Sequence, residues 1–280
     1  MRDRTFMTLM RLLPKSALSA AVGKAARARI PASWHRVAMR AFVRRFRVDL
    51  EEAEHGLEGY RTLGELFTRR LKPGRRPVEA GEKVVVSPVD GAVSQAGALE
   101  RDLCLQAKGI RYPVGKLLGD EGSAHAFQDG AFATLYLSPR DYHRIHAPLG
   151  GQVLGYSYLP GELWPVNPVS ARSKEALFCL NERLITWMDT PAGLMAVVAV
   201  GATCVARIHA AYDPIVTHTG QPARVHRYPT PIPLQKGDEL GMFEMGSTVI
   251  LLFGPGKVRW DDWLRPEAAL RMGRRIGEVT

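Results

Sequence analysis

Apolar residues recur at helical intervals near the start of the chain, at Phe6, Leu9, Met10 and Leu13 and again at Trp34, Val37, Ala38, Phe42 and Phe46. A shorter helical run over 63–71 is stopped by Pro73-Gly74. Beyond Val84 the pattern changes to short β-branched runs, punctuated by most of the 19 prolines and 27 glycines. These runs predict strands at 84–86, 131–137, 152–158, 184–188, 195–200 and 203–209. Two further buried strands, 240–245 and 249–253, flank the bend Gly246-Ser247-Thr248, where glycine eases the turn. The expected class is α+β, with N-terminal amphipathic helices followed by a mostly antiparallel, β-rich core. Three stretches result: helices over 1–50, a helical and linker segment over 51–83, and a β-rich domain over 84–280.

Charge sharpens the division. Residues 1–50 hold 12 of the 38 Lys and Arg but only two of the 28 acids, Asp3 and Asp49, and the remaining 26 of each sign cancel. The whole net charge of +10 therefore sits at one end. Arg36, Arg40, Arg44 and Arg47 share the second helix with its apolar stripe and fall largely on another face. That combination predicts an interfacial membrane anchor, each basic group adding about 1 kcal/mol near anionic lipid. The alternatives are a solvated cap on the core, or nucleic-acid binding, which the neutral body and apolar helix faces disfavour. An Arg-rich, acid-poor start also matches an organelle transit peptide, although organised helix follows Lys15 and Lys24. No segment reaches the ~20 apolar residues of a spanning helix, and the first apolar run stops at Pro14, so no cleavable secretory signal is expected. Cys104, Cys179 and Cys204 are too widely spaced for a disulfide framework or zinc site and read as buried small hydrophobes in a reducing cytoplasm.

Three segments carry candidate chemistry. Asp90-Gly91 alone reads as a hairpin turn, His143 and His146 as hydrogen-bonded structure, and Ser247 as a turn serine. Together they supply the carboxylate, imidazole and hydroxyl of an activated nucleophile. The Gly-x-Ser-x-Gly elbow of hydrolases is absent, as are a dinucleotide fingerprint and a P-loop. A serine directly after glycine can instead attack the carbonyl of its own preceding residue, turning the amide into an ester. Loss of the serine α-proton then expels the upstream chain and leaves dehydroalanine, which hydrolyses to a pyruvoyl group and ammonia.

At these residues the chain resembles a known family. Pro88-Val-Asp-Gly91, Leu137-Ser-Pro-Arg-Asp-Tyr-His-Arg-Ile-His-Ala-Pro148, Leu159-Pro-Gly-Glu-Leu163, Asn181-Glu-Arg183, Val200-Gly-Ala-Thr203 and Gly246-Ser-Thr-Val-Ile250 are similar to segments of the bacterial, pyruvoyl-dependent phosphatidylserine decarboxylases. Gln106-Ala-Lys-Gly109 and Phe253-Gly-Pro-Gly-Lys257 fit as well, and the likeness runs in order through nearly the whole chain. Met245 and Val89 stand where Leu and Ala are usual, swaps that keep an apolar residue. The resemblance implies a self-cleaving triad of Asp90, His146 and Ser247, with His146 the base and Asp90 its orienting carboxylate. Cleavage between Gly246 and Ser247 would give a β chain, 1–246, and an α chain, 247–280, starting with the pyruvoyl group made from Ser247. That group would form a Schiff base with phosphatidylserine and release CO2, giving phosphatidylethanolamine, with His143 the candidate proton donor and no metal required.

The implied partners are phosphatidylserine and an anionic membrane surface, with no nucleic acid. The two chains would come from one precursor, and a homodimer of αβ units is compatible with the resemblance. The implied location is peripheral, on the cytoplasmic face of a bacterial cell membrane. Arg140, Arg144 and the segment 156–167 are nearest in the chain to serve the lipid phosphate. Deletion of 1–49 is expected to weaken lipid binding and leave self-cleavage intact. The competing readings are a metal-dependent hydrolase built on Asp90, His143 and His146, a carrier-like β domain suggested by 236–248, and a basic RNA-binding protein.

Overall fold

The computed structural model describes residues 6–8, 10–11, 13–29, 31–203, 207–244 and 248–280. Residues 6–8 and 10–11 are helical. Two longer helices follow, α1 (Lys15–Arg27), rich in alanine, and α2 (Ala32–Phe46), which starts after Pro31 and stops at Arg47 in the left-handed region. The short α3 (Leu63–Phe67) is capped by Thr62, whose hydroxyl accepts from Glu65 N, while Glu65 reaches back to Arg61 N. It ends earlier than the run over 63–71 predicts, because tertiary contacts take over. The Thr68 carbonyl accepts from Arg144, and Leu71 bridges to Ala53.

The strands run β1 (Val84–Val86), β2 (Gly91–Ala98), β3 (Leu103–Ala107), β4 (Ile110–Pro113), β5 (Ala131–Tyr136) and β6 (Arg144–His146). Then come β7 (Gly151–Leu159), β8 (Arg183–Thr190), β9 (Gly193–Val200), β10 (Ile208–Ala210) and β11 (Arg224–Leu234). The last are β12 (Glu239–Phe243), β13 (Thr248–Phe253), β14 (Val258–Trp260), β15 (Ala269–Leu270) and β16 (Arg275–Val279). Four short α-helices are described between them, α4 (Val114–Leu118), α5 (Glu121–Ala124), α6 (Pro168–Ser173) and α7 (Leu177–Leu180), with a 3-10 turn at His125–Phe127.

Eight strands form one antiparallel sheet in the order β11-β7-β8-β9-β13-β5-β2-β15, so the expected α+β class, helices first and an antiparallel core after, is what the chain adopts. β13 lies between β9 and β5, and every one of its residues is buried. Its alternation serves two cores. Val249, Leu251 and Phe253 pack with Val89, Ile145, Phe243 and Ile276, beneath the small sheets β1-β16-β14 and β10-β12-β6. Ile250 and Leu252 pack with Tyr112, Leu117, Phe127, Trp164 and Phe178, under the β3–β4 hairpin and short helices.

Several strands escaped the sequence pattern for identifiable reasons. β2 is built of small residues, and β11 carries Pro229, Pro231 and Pro233, which a strand tolerates here because it lies at the sheet edge. The run expected as strand over 203–209 yields β10 at its end, with 204–206 outside the described residues. Asp90-Gly91 is no hairpin turn, since β1 and β2 on either side of it belong to different sheets. The apolar stripe of α2 also divides. Met39 is buried with Tyr60 and Leu66, and Phe42 packs on Phe67, whereas Trp34 and Val37 are 72% and 64% exposed.

Gly91 illustrates how tightly the sheet end is closed. It has φ +144°, and an added Cβ would lie 2.1 Å from the Tyr136 carbonyl oxygen. Gly91→Ala is expected to cost more than about 3 kcal/mol of folding stability through strain and clash together. Urea unfolding measures this, and a loss below about 1 kcal/mol would mean that this end of the sheet relaxes freely.

Candidate active site

The Asp90 loop, the histidine segment and Thr248, which follows the expected cleavage site, meet at one end of the large sheet. Thr248 opens β13 and pairs with Tyr136 on one side and Val200 on the other, and Tyr136 in turn pairs with Ala92. Asp90 immediately precedes β2, and the loop carrying the histidines leaves β5 at the same end. His146 N donates to Pro88 O at 2.9 Å, which stitches the histidine strand to the Asp90 loop. On its other side β6 pairs with β12, and Phe243 N donates to His143 O at 3.0 Å. Gly246 and Ser247, the expected cleavage site, lie outside the described residues, but Glu244 and Thr248 on either side are described.

His146 is set up as a neutral imidazole. Its Nδ1 is 2.8 Å from Gly237 O, and a carbonyl only accepts, so Nδ1 carries the proton. Nε2 is left as the acceptor for the Tyr142 hydroxyl at 3.1 Å. Burial lowers the imidazole's pKa, against the opposing pull of the Gly237 bond and Glu239. The Asp90 carboxylate makes its bonds elsewhere. Arg76 Nε donates to Oδ1 and Oδ2 at 2.8 and 3.1 Å, Arg76 Nη2 to Oδ2 at 2.5 Å, and Met272 N to Oδ1 at 2.8 Å. Asp90 and His146 are thus neighbours through their backbones, while a carbonyl rather than the carboxylate fixes the tautomer.

His143 is fully buried, its ring 4.0 Å from that of Phe67. Nδ1 donates to Asp141 O at 2.8 Å, and Nε2 has no partner among the described residues. Burial holds its pKa down at about 3, so it is neutral near pH 7. The hydroxyl of Thr248 is another buried polar atom without a partner among the described residues at this end of the sheet. These two unsatisfied groups, one beside β12 and one opening β13, suit a site where a reacting polar group is to be accommodated.

The surrounding motifs are clamps. Asn181 donates to the carbonyls of Trp164 and Gly201 and accepts from Trp164 N, holding the turn after β9. Glu182 accepts from Tyr158, at 2.6 Å, and from His218, and Arg183 donates to four backbone carbonyls. Gln106 ties the loop over 171–177 to β3. Arg144 is committed to both oxygens of Glu239, at 2.7 and 2.8 Å, and to Thr68 O, so it is not a spare cation for a phosphate; Arg140 is exposed, its Nε 3.7 Å from Asp141. Arg27 at the end of α1 reaches Glu244 at 2.5 Å, Lys15 lies 4.1 Å from the Trp164 ring centre, and Met7 is buried in the second core. Removing 1–49 therefore strips core contacts along with any anchor.

Sequence reasoning missed Arg76, Glu52, Phe67 and Gly237. Arg76 lay in an Arg-Arg-Pro stretch read as linker, and Gly237 contributes through its carbonyl, which has no signature in side-chain chemistry. Cys104 is buried as expected, its thiol pushed up by burial; Cys179 is half-buried, and Cys204 is outside the described residues. Among the described residues no three His, Cys, Asp or Glu are grouped to hold a metal ion, and no helix is long and apolar enough to cross a membrane.

Comparison with known proteins decides the family. The profile described as phosphatidylserine decarboxylase matches residues 63–278. The chain belongs to the phosphatidylserine decarboxylase family. It is 63% identical over 280 residues to the phosphatidylserine decarboxylase proenzyme of Myxococcus xanthus, with 100% of both chains covered. The proenzymes of Anaeromyxobacter sp. and Azotobacter vinelandii are 57% and 45% identical, covering 99% and 100% of each chain. The resemblance carried by the motifs, and with it the expectation of a decarboxylating enzyme, is borne out.

The burial of His143 has a measurable signature. Its folded-state pKa lies below the ordinary value of about 6.5, so the unfolded chain takes up the proton first. The stability it contributes is complete above pH ~6.5 and is lost as pH falls towards 3, with a slope approaching about 1.4 kcal/mol per pH unit. In a Ser247→Ala background, His143→Gln is expected to flatten that part of the curve of unfolding free energy against pH. An unchanged slope would mean that His143 titrates normally.

Proposed function

We propose that this protein converts phosphatidylserine to phosphatidylethanolamine and CO2 after cutting its own chain between Gly246 and Ser247. The observation that carries the reading is the His146 imidazole: neutral, fixed by Gly237 with Nε2 as acceptor, and stitched to the Asp90 loop where β13 begins. Once the Tyr142 hydroxyl swings off it, His146 Nε2 takes the Ser247 hydroxyl proton as Ser247 Oγ bonds to the Gly246 carbonyl carbon, and returns a proton to the Ser247 nitrogen as the amide bond breaks to leave an ester. Asp90 favours the imidazolium that forms, by its charge. Loss of the Ser247 α-proton breaks the Cβ–Oγ bond of the ester, leaving a β chain, 1–246, ending in a carboxylate, and an α chain, 247–280, whose dehydroalanine takes up water and releases ammonia. A pyruvoyl group at position 247 supplies an electron sink for loss of the substrate carboxylate. We assign His143 to proton delivery in that step. Its Nε2 is bare in the neutral form, so it must gain a proton before it can return one to the substrate carbon.

The metal-hydrolase alternative suits the site less well. The Asp90 carboxylate already faces a guanidinium, and His146 Nδ1 carries a hydrogen-bonded proton. The basic N-terminal segment serves as the anchor, on the cytoplasmic face of the membrane. Exposed Trp34 and Val37 share α2 with Arg36, Arg40 and Arg44, a surface that offers apolar insertion and attraction to anionic lipid together.

Intact mass under denaturing conditions tests the chemistry. Two species are expected, 1–246 and 247–280, the smaller lighter by one ammonia than a serine-initiated fragment, while Ser247→Ala and His146→Ala leave the full-length chain. A wild-type chain that stays whole would overturn the reading. For the anchor, Trp34→Glu with Val37→Glu is expected to weaken flotation with phosphatidylserine vesicles at least about tenfold, since each large apolar side chain contributes ~1.5–3 kcal/mol on burial. The unfolding midpoint should stay put because both side chains are exposed, and unchanged flotation would place the anchor elsewhere.

A further inference from the structure

We propose that Arg76 is a positioning residue for self-cleavage, holding the Asp90 carboxylate in its working place; the proposal rests on the self-cleavage reading above. The guanidinium presents its Nε–Nη2 edge to the carboxylate, a fork that fixes the plane of the carboxyl group as well as its location. Both side chains are buried, at 7% and 9% exposure. Nη2 also meets Glu52 at 2.7 Å, and Glu52 lies 3.4 Å from Arg271. Burial by itself pulls the Arg76 pKa down, but the bonds to Asp90 and Glu52 outweigh it and keep the group charged.

The backbone holds Arg76 there as firmly. Pro77 follows it, and the 77–79 stretch lies flat on Gly273, where an added Cβ would stand 2.4 Å from Pro77 O. Glu79 N donates to Gly273 O at 2.9 Å. The cluster therefore draws Glu52 and Arg76 from the 51–83 segment, Asp90 from the β1–β2 connection, and Arg271 and Met272 from the C-terminal stretch. Without Arg76, Asp90 keeps only the Met272 N–H among the described residues, so the carboxylate turns about a single bond and its charge no longer has a fixed relation to His146. A buried carboxylate stripped of its cation is also costly, which adds a drive to move towards solvent.

The test follows precursor loss with time in full-length protein, beside wild type and Ser247→Ala. In Arg76→Ala the first-order cleavage rate is expected to fall at least about tenfold, which corresponds to 1.36 kcal/mol on the barrier. Guanidinium ion at millimolar concentration, far below the molar range that unfolds proteins, is expected to enter the vacated space and restore cleavage several-fold. It should not rescue Asp90→Asn, and a merely structural role would not produce this pattern. Arg76→Lys keeps the charge, loses the fork, and is expected to cleave at a rate between the two. Wild-type cleavage by Arg76→Ala, or a folded but slow Arg76→Ala indifferent to guanidinium, would overturn the proposal. If Arg76→Ala does not fold, Arg76→Lys decides, and wild-type cleavage by it counts against the fork. Failure of wild type to cleave, or cleavage by Ser247→Ala, would instead sink the self-cleavage reading itself.

Discussion

The insertion of β13 between β5 and β9 is the constraint on which the rest depends. Its backbone is paired on both sides and its side chains are shared between two cores, so it cannot shift without dismantling the sheet. Everything chemically interesting is placed relative to where this strand starts. β2 brings Asp90 to that level through its pairing with β5, and the loop after β5 delivers the histidines. Asn181 holds the exit of β9. The position of each functional group is thus set by strand register, which moves only in whole residues.

Around that frame the two histidines are held neutral and three carboxylates are paired, while the buried Arg69 and Arg183 donate to backbone carbonyls. His143 and His146 are kept uncharged by burial, each spending its Nδ1–H on a carbonyl. Asp90, Glu239 and Glu244 are each matched by arginine or histidine. Such pairing does little for net stability when buried, because desolvation offsets much of the attraction. Its effect is geometric. The segment 51–83 contributes Phe67 behind His143, the Thr68 carbonyl under Arg144 and Arg76 against Asp90, so a stretch with little regular structure forms the back wall of the site.

Legibility in the sequence followed how local each signal is. The buried strands 131–137, 195–200 and 249–253 were readable because hydrophobic runs between breakers depend on adjacent residues alone. α2 was readable by its period, but which apolar residues it buries was not, since Met39 turns inward only because Tyr60 and Leu66 lie opposite. Asp90, His143, His146 and Ser247 stood out as chemistry-bearing residue types in motifs. Arg76 and Gly237 did not, because an arginine beside another arginine reads as solvated charge, and a glycine carbonyl is invisible to any reading of side chains. The hairpin reading of Asp90-Gly91 failed for a related reason. Local turn chemistry says nothing about which sheets the flanking strands will join.

The bond from Met272 N to Asp90 has a consequence for timing. Met272 is close to the end of the chain, and the strands after Thr248 supply the middle of the large sheet, one of its edges and two of the three strands of a small sheet. While a ribosome is still extruding this stretch, Asp90 lacks one of its two anchors and the sheet lacks its centre. The histidines then have no assembled site in which to act. On the proposed self-cleavage reading, the site is therefore assembled only once Met272 and the strands from Thr248 on have been made, and a chain that stops short of Met272 is expected to stay whole.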